Sequence, residues 1–181
     1  MRHSNLALVI AKLRIEATDY LLLNWHLKWS DWSLVGGHIE PGEEHNWSAA
    51  AVREANEELA PLHSSRDFAV SELTPHSVSW GPTDSRSNGE PTLYTAKYFV
   101  LSFVVDPAKA LAKLSSADFM LLDAGCQPNR ASVSETLRQL YQHLPNGFAD
   151  IPLSWPRSIR SAEITIPRVG SIPLLSAASH A

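Results

Sequence analysis

Apolar and polar positions along the chain fall into short blocks separated by turn residues. Residues 5–15 predict a first strand and residues 20–27 a second, with residues 16–19 as the turn between them. Residues 32–35 predict a brief strand that runs into two glycines. A helix follows, capped by Asn46 or Ser48 and running to about Leu59, with Ala49-Ala50-Ala51 lending intrinsic propensity. Residues 68–80 are β-rich, and Pro75 within them predicts a bend or an edge position. A loop is predicted over 81–91, a clear strand over 92–105 and another over 117–123. Residues 132–144 predict an amphipathic helix, capped by Ser132 or Ser134, with Val133, Leu137, Leu140 and Leu144 on one face. Strands then helix, twice over, predict an α/β domain layered on a mixed sheet. It should occupy residues 1–144. Residues 145–181 hold Pro152, Pro156, Pro167 and Pro173 and little periodicity, and predict an extension rather than a second domain.

The first of these helices carries unusual chemistry. With Val52 set at zero and 100° per residue, Glu54, Glu57 and Glu58 fall at roughly 200°, 140° and 240°, while Ala55 and Leu59 fall at roughly 300° and 340°. Val52, Ala55 and Leu59 are therefore expected to face a core, with three negative charges gathered on the other side. Like charges at these spacings repel. A hard divalent cation would offset the repulsion, since magnesium favours carboxylate oxygens and shares its shell with phosphates. The plain alternative is a solvated acidic face.

The loop ahead of the helix bears on that choice. Gly36-Gly37-His38-Ile39-Glu40-Pro41-Gly42-Glu43, followed by Arg53-Glu54-Ala55-Asn56-Glu57-Glu58-Leu59, resembles the signature of the Nudix hydrolases. Gly37 and Glu43 match its first half, and Arg53, Glu54, Glu57 and Glu58 its second; Trp32 to Gly37 resembles the strand that leads into it. Two departures stand out. Nine residues rather than seven separate Glu43 from Arg53, a two-residue insertion around Glu44-His45-Asn46-Trp47. Ala60 stands in the place of the closing glycine. The insertion bears directly on the family's pairing of Glu43 with Arg53, which braces loop against helix.

The resemblance implies an αβα sandwich with a mixed β-sheet. It also implies a hydrolase that cleaves a nucleoside diphosphate linked to another group, by attack of water at phosphorus. It implies Mg2+ or Mn2+ as cofactor, held by Glu54, Glu57, Glu58 and the Gly37 carbonyl, with Arg53 orienting a glutamate. Asp118, just ahead of Phe119, stands where a further ligand or general base is often found, and Glu90 is a weaker candidate of the same kind. Pro75 lies near where relatives acting on ADP-ribose carry a proline, which leans the substrate toward ADP-ribose-like small nucleotides. A Nudix-fold sensor that binds a nucleotide without turning it over is the alternative function. Homodimers are common in the family, and nothing in this sequence marks an interface.

Composition narrows the rest. Hydrophobic residues make up 44% and charged residues 19%, as in an ordinary soluble domain. The net charge of −4, without a basic run, argues against a nucleic-acid duplex as partner. The single cysteine, Cys126, excludes an internal disulfide and fits a reducing, cytoplasmic setting. The apolar run at 6–11 is followed by Lys12-Leu13-Arg14 without a small-residue cleavage site and reads as a buried strand. No stretch reaches the ~20 apolar residues of a membrane helix, so no membrane partner is expected. Trp25, Trp29, Trp32 and Trp47 surround the signature, and one of them is expected to contact substrate. His38, inside the loop, is placed to touch phosphate.

Overall fold

The computed structural model describes residues 1–126, 133–144 and 146–170, with the backbone alone at 74–76. The apolar run at the start divides where the sequence pattern shows no break. β1 (Arg2–Ile10) and β2 (Lys12–Ile15) belong to different sheets, and the chain changes sheet at buried Ala11. β3 (Thr18–His26) pairs antiparallel with β2 and with β4 (Asp31–Ser33). The predicted glycine loop is in fact a strand, β5 (Val35–His38), antiparallel to β1 with Gly36 opposite Leu8, Gly37 opposite Ala7 and His38 opposite Leu6. Glycines carry no hydrophobic signal, so periodicity does not reveal this pairing.

α1 (Trp47–Glu58) is capped by Asn46, whose side chain accepts the Ala49 N–H at 3.1 Å. β6 (Phe68–Asp84) and β7 (Pro91–Phe103) form a long antiparallel pair. Its register slips between Glu72 and Ser77, around Pro75, and again between Trp80 and Thr83. A short helix that the pattern reading omits, α2 (Pro107–Leu111), starts at the Asp106 cap. β8 (Phe119–Asp123) follows, then α3 (Glu135–His143), capped by Ser134; Ser132, the other predicted cap, lies outside the described residues. Val133 precedes the helix and bridges to Trp32.

One sheet has the order β5-β1-β7-β6, with β1 and β7 parallel; the other runs β2-β3-β8, with β4 also on β3. Alternation along β1 sorts its side chains between two cores. Ala7 and Val9 pack with Ala51, Ala55 and Leu59 of α1, and Leu6, Leu8 and Ile10 pack with Leu137 and Leu140 of α3. Helix lies on each face of mixed sheet, the expected αβα sandwich. Val52, expected in the core, is only half-buried; the buried stripe is Ala51, Ala55 and Leu59.

Residues 146–170 lie against the domain. Ser154 and Ile159 run beside β2, and β9 (Arg168–Val169) pairs parallel with β8. Phe148, Ile151, Ile159 and Ile166 are buried. Buried Lys12 donates to the Phe148 carbonyl at 2.7 Å and lies 3.8 Å from Asp19. Among the described residues, no helix is long and apolar enough to cross a membrane.

Candidate active site

The end of α1 rests on the backbone of β5, and this contact organises the acidic cluster. Glu58, at roughly 240° on the wheel, borders Ala55 and turns inward. Its Oε2 accepts the Gly36 N–H at 2.8 Å and the Asn24 Nδ2–H at 3.1 Å. Burial, opposed by the Gly36 bond and reinforced by the charge of Glu54, pushes its carboxyl up to about 7. Glu54 is 13% exposed and accepts from Arg53 Nη1 at 2.9 Å; burial raises its carboxyl as well, against the pull of Arg53. Glu57 is 59% exposed and 3.5 Å from Arg53 Nη1.

The two glycines have separate steric reasons. Gly36 holds φ at +131°, and a Cβ there would stand 2.2 Å from the Ala7 carbonyl oxygen. A Cβ on Gly37 would stand 2.7 Å from the Glu54 carboxylate. Backbone and carboxylate therefore approach as closely as the chain permits.

Arg53 joins loop to helix despite the insertion. Its Nε and Nη2 reach the two oxygens of Glu43, each at 3.0 Å, and Nη2 also reaches the His38 carbonyl at 3.1 Å. The inserted residues are absorbed by a turn in which the Asn46 N–H reaches the Glu43 carbonyl at 2.7 Å and Asn46 becomes the helix cap. Glu43, engaged at both oxygens and also by the Glu40 N–H, is a brace rather than a free base. Two other candidates stand apart. Asp118 is exposed at the entry to β8, where its carbonyl accepts the Trp25 N–H; Glu90 is exposed beside Asn88. Neither bonds to Arg53 or to the Gly36 backbone, as the α1 glutamates do, and none of these five carboxylates lines the cavity described next.

Beside β5 opens a cavity of about 740 Å3, its floor made by Gly36, Gly37 and His38. His38 bonds through Nδ1 to Ser4 Oγ at 2.9 Å. Of the four tryptophans near the signature only Trp29 lines this space, with Lys28 Nζ 4.5 Å and the Arg86 guanidinium 4.8 Å from its ring centre. Trp25 and Trp32 pack edge to face at 5.2 Å, and Trp47 packs against the α1 core. Trp80 and Tyr94 also line the cavity, stacked 5.3 Å apart at 10° between their planes. Their role was not legible in the sequence, because their place on neighbouring strands at the cavity depends on the slipped β6–β7 register.

Among the described residues, no group of three or more His, Cys, Asp or Glu side chains converges in an arrangement that could hold a metal ion. Two carboxylates and backbone oxygen do suit magnesium, which is usually held by one or two carboxylates together with substrate phosphates and keeps several waters. The space left at Gly37 and the burial of Glu54 and Glu58 agree with that donor set.

The NUDIX domain family matches residues 5–139, and the chain belongs to that family. Solved structures that the chain matches include the Ap4A hydrolase of C. elegans, at 19% identity and TM-score 0.40, covering 56% of this chain and 67% of that one. A MutT/nudix family protein from Enterococcus faecalis matches at 16% identity and TM-score 0.43, over 68% and 45% of the two chains. NrtR of Shewanella oneidensis matches at 13% and 0.43, over 65% and 50%. The chain thus spans half or less of the length of the latter two proteins. No curated protein matches it.

Proposed function

We propose that this protein is a divalent-metal-dependent pyrophosphohydrolase that cleaves a nucleoside diphosphate linked to another group. ADP-ribose-like small nucleotides are the substrate class toward which it leans. The observation that carries this reading is the seating of Glu54 and Glu58, half-buried and raised, against the backbone of Gly36 and Gly37, two glycines that themselves line a large cavity. Glu54, Glu57, Glu58 and the Gly37 carbonyl are the proposed holders of Mg2+ or Mn2+. Bound there, the cation would neutralise phosphoryl charge and acidify a water.

The chain's own residues position the rest. Arg53 fixes Glu54 and, through the His38 carbonyl and Glu43, the end of β5 next to Gly37 and the loop that follows it. The Gly36 N–H and Asn24 fix Glu58. Glu57, largely exposed, has the freedom to turn toward the other two. Trp80 and Tyr94 offer aromatic surface for a base.

The test is phosphate release from ADP-ribose, NADH, nucleotide sugars, dinucleoside polyphosphates and nucleoside triphosphates through a coupled phosphatase, with and without metal, on wild type and Glu57→Gln. Metal-dependent turnover lost in the variant supports the hydrolase. A nucleotide-binding sensor is the second reading, favoured by the two-residue insertion between Glu43 and Arg53 and by Ala60 in the place of the closing glycine. Binding without turnover on every substrate would select it.

A further inference from the structure

Asn24 is a buried polar side chain used at one end only. It is 8% exposed, its Nδ2 donates to Glu58 Oε2 at 3.1 Å, and its Oδ1 is closed to solvent without a hydrogen-bond partner. Exchanging the two ends of the amide would not help. The oxygen would then face an ionised Glu58, which only accepts, and Nδ2 would be the orphan. A buried acceptor left unpaired is costly, and in a native fold it calls for an explanation.

The strand period brings this amide to the glutamates. Leu22, two residues earlier on β3, belongs to the core under α1, while Leu21 and Leu23 belong to the other core. Asn24 is the next residue on the α1 side, a polar group where an apolar one would continue the stripe. Its backbone is fixed on both sides, opposite Ser33 of β4 and Phe119 of β8. Glu58 is held to match. Its Oε2 accepts from Asn24 and from the Gly36 N–H, and among the described residues nothing donates to its Oε1. Two oxygens without donors, Asn24 Oδ1 and Glu58 Oε1, thus belong to side chains that are bonded to each other.

We propose that Asn24 Oδ1 is a further protein oxygen for the cation at Glu54, Glu57 and Glu58. An amide carbonyl oxygen is a hard donor of the kind that suits magnesium and manganese. Size favours an ion over a water. A water oxygen stands about 2.8 Å from the atom that accepts its hydrogen bond. Mg2+ lies about 2.1 Å from a ligand oxygen, so an oxygen closed to water can still meet the ion. Asn24 then serves the site with both ends of its amide, Nδ2 orienting Glu58 and Oδ1 completing the donor set. The inference rests on the reading of α1 as a metal site.

Mn2+ binding, followed by electron paramagnetic resonance, tests it. Wild type should bind Mn2+, and Asn24→Ala at least about tenfold more weakly. Asn24→Asp, which keeps an oxygen and loses the Nδ2 donor, should bind at least as tightly as wild type. Water-proton relaxation at saturating Mn2+ counts the waters on the bound ion, and Asn24→Ala should carry one more than wild type. A residue that served Glu58 through Nδ2 alone would weaken binding alike in both variants. Equal affinity in Asn24→Ala, loss in Asn24→Asp as large as in Asn24→Ala, or an unchanged water count overturns the proposal. Melting temperatures in EDTA check that the variants fold, and Asn24→Ser, which also lacks the carbonyl oxygen, stands in if Asn24→Ala does not. Absence of Mn2+ binding by wild type would overturn the metal reading along with this one. Neither measurement uses turnover, so a protein that binds Mn2+ and hydrolyses nothing still decides the role of Asn24.

Discussion

Arg53 grips both carboxylate oxygens of Glu43 at 3.0 Å across a loop two residues longer than the signature that it resembles. The same guanidinium holds Glu54 at 2.9 Å. One residue therefore sets the position of the loop and of a proposed metal ligand together. Arg53→Lys keeps the charge but cannot make the fork. Turnover should fall at least tenfold, measured as kcat at saturating metal, with the circular dichroism spectrum intact. Unchanged kcat in this variant would remove Arg53 from the site.

Gly36→Ala and Gly37→Ala should fail in different ways. At Gly36 the new Cβ meets the Ala7 carbonyl, in a backbone conformation that alanine rarely adopts. Destabilisation of about 3 kcal/mol or more is expected, read from urea unfolding. At Gly37 the new Cβ meets the end of the Glu54 side chain, which can move. That variant should fold with nearly normal stability and lose activity.

Burial of Glu58 gives metal-free protein a pH dependence. The folded carboxyl binds its proton more tightly than the unfolded one. Its stabilising contribution is therefore full below about 4.5 and is lost as pH rises through about 7. The loss is on the order of 3 kcal/mol at most. In EDTA, unfolding free energy should decline over that window, and Glu58→Gln should flatten the decline. A parallel decline in the variant would assign it to other groups.

Trp80 is the aromatic side chain of the cavity whose removal should be felt by a base. Stacking is worth roughly 1–3 kcal/mol per base. Trp80→Ala should raise KM about tenfold on any nucleotide substrate and leave kcat within a few-fold, whereas Trp25→Phe, on the Trp25–Trp32 contact away from the cavity, should alter neither.

The acidic helix was legible because its charges and its buried stripe share one continuous segment. The inward turn of Glu58 was not, since the wheel sets it with Glu54 and Glu57 on the side away from the core. The strand character of Gly36 and Gly37 was not, since a glycine joins a sheet without an apolar mark. The sheet change at Ala11 was hidden by a run buried throughout, from Leu6 to Ile10 and on to Leu13. The helix at Pro107–Leu111 did carry a signal, Asp106 followed by proline, that the pattern reading passed over. Of the cavity wall, Trp29 and His38 were singled out by their place near the signature, and the rest could not be read. Arg2, Lys28, Trp80 and Tyr94 come from distant parts of the chain, and no local spacing relates them.

Lys12 bonds to Phe148 and its backbone to Ser154, contacts that join residues 136 and 142 positions apart. β2 thus waits for residues 148–154 before the amine and backbone N–H of Lys12 gain these partners. Loop closure of that length is slow, and an unpaired strand edge invites wrong partners in the interval. Order of synthesis and order of assembly run in opposite directions at β2, so a nascent chain lacking residues 146–170 should depend on chaperones to stay in solution.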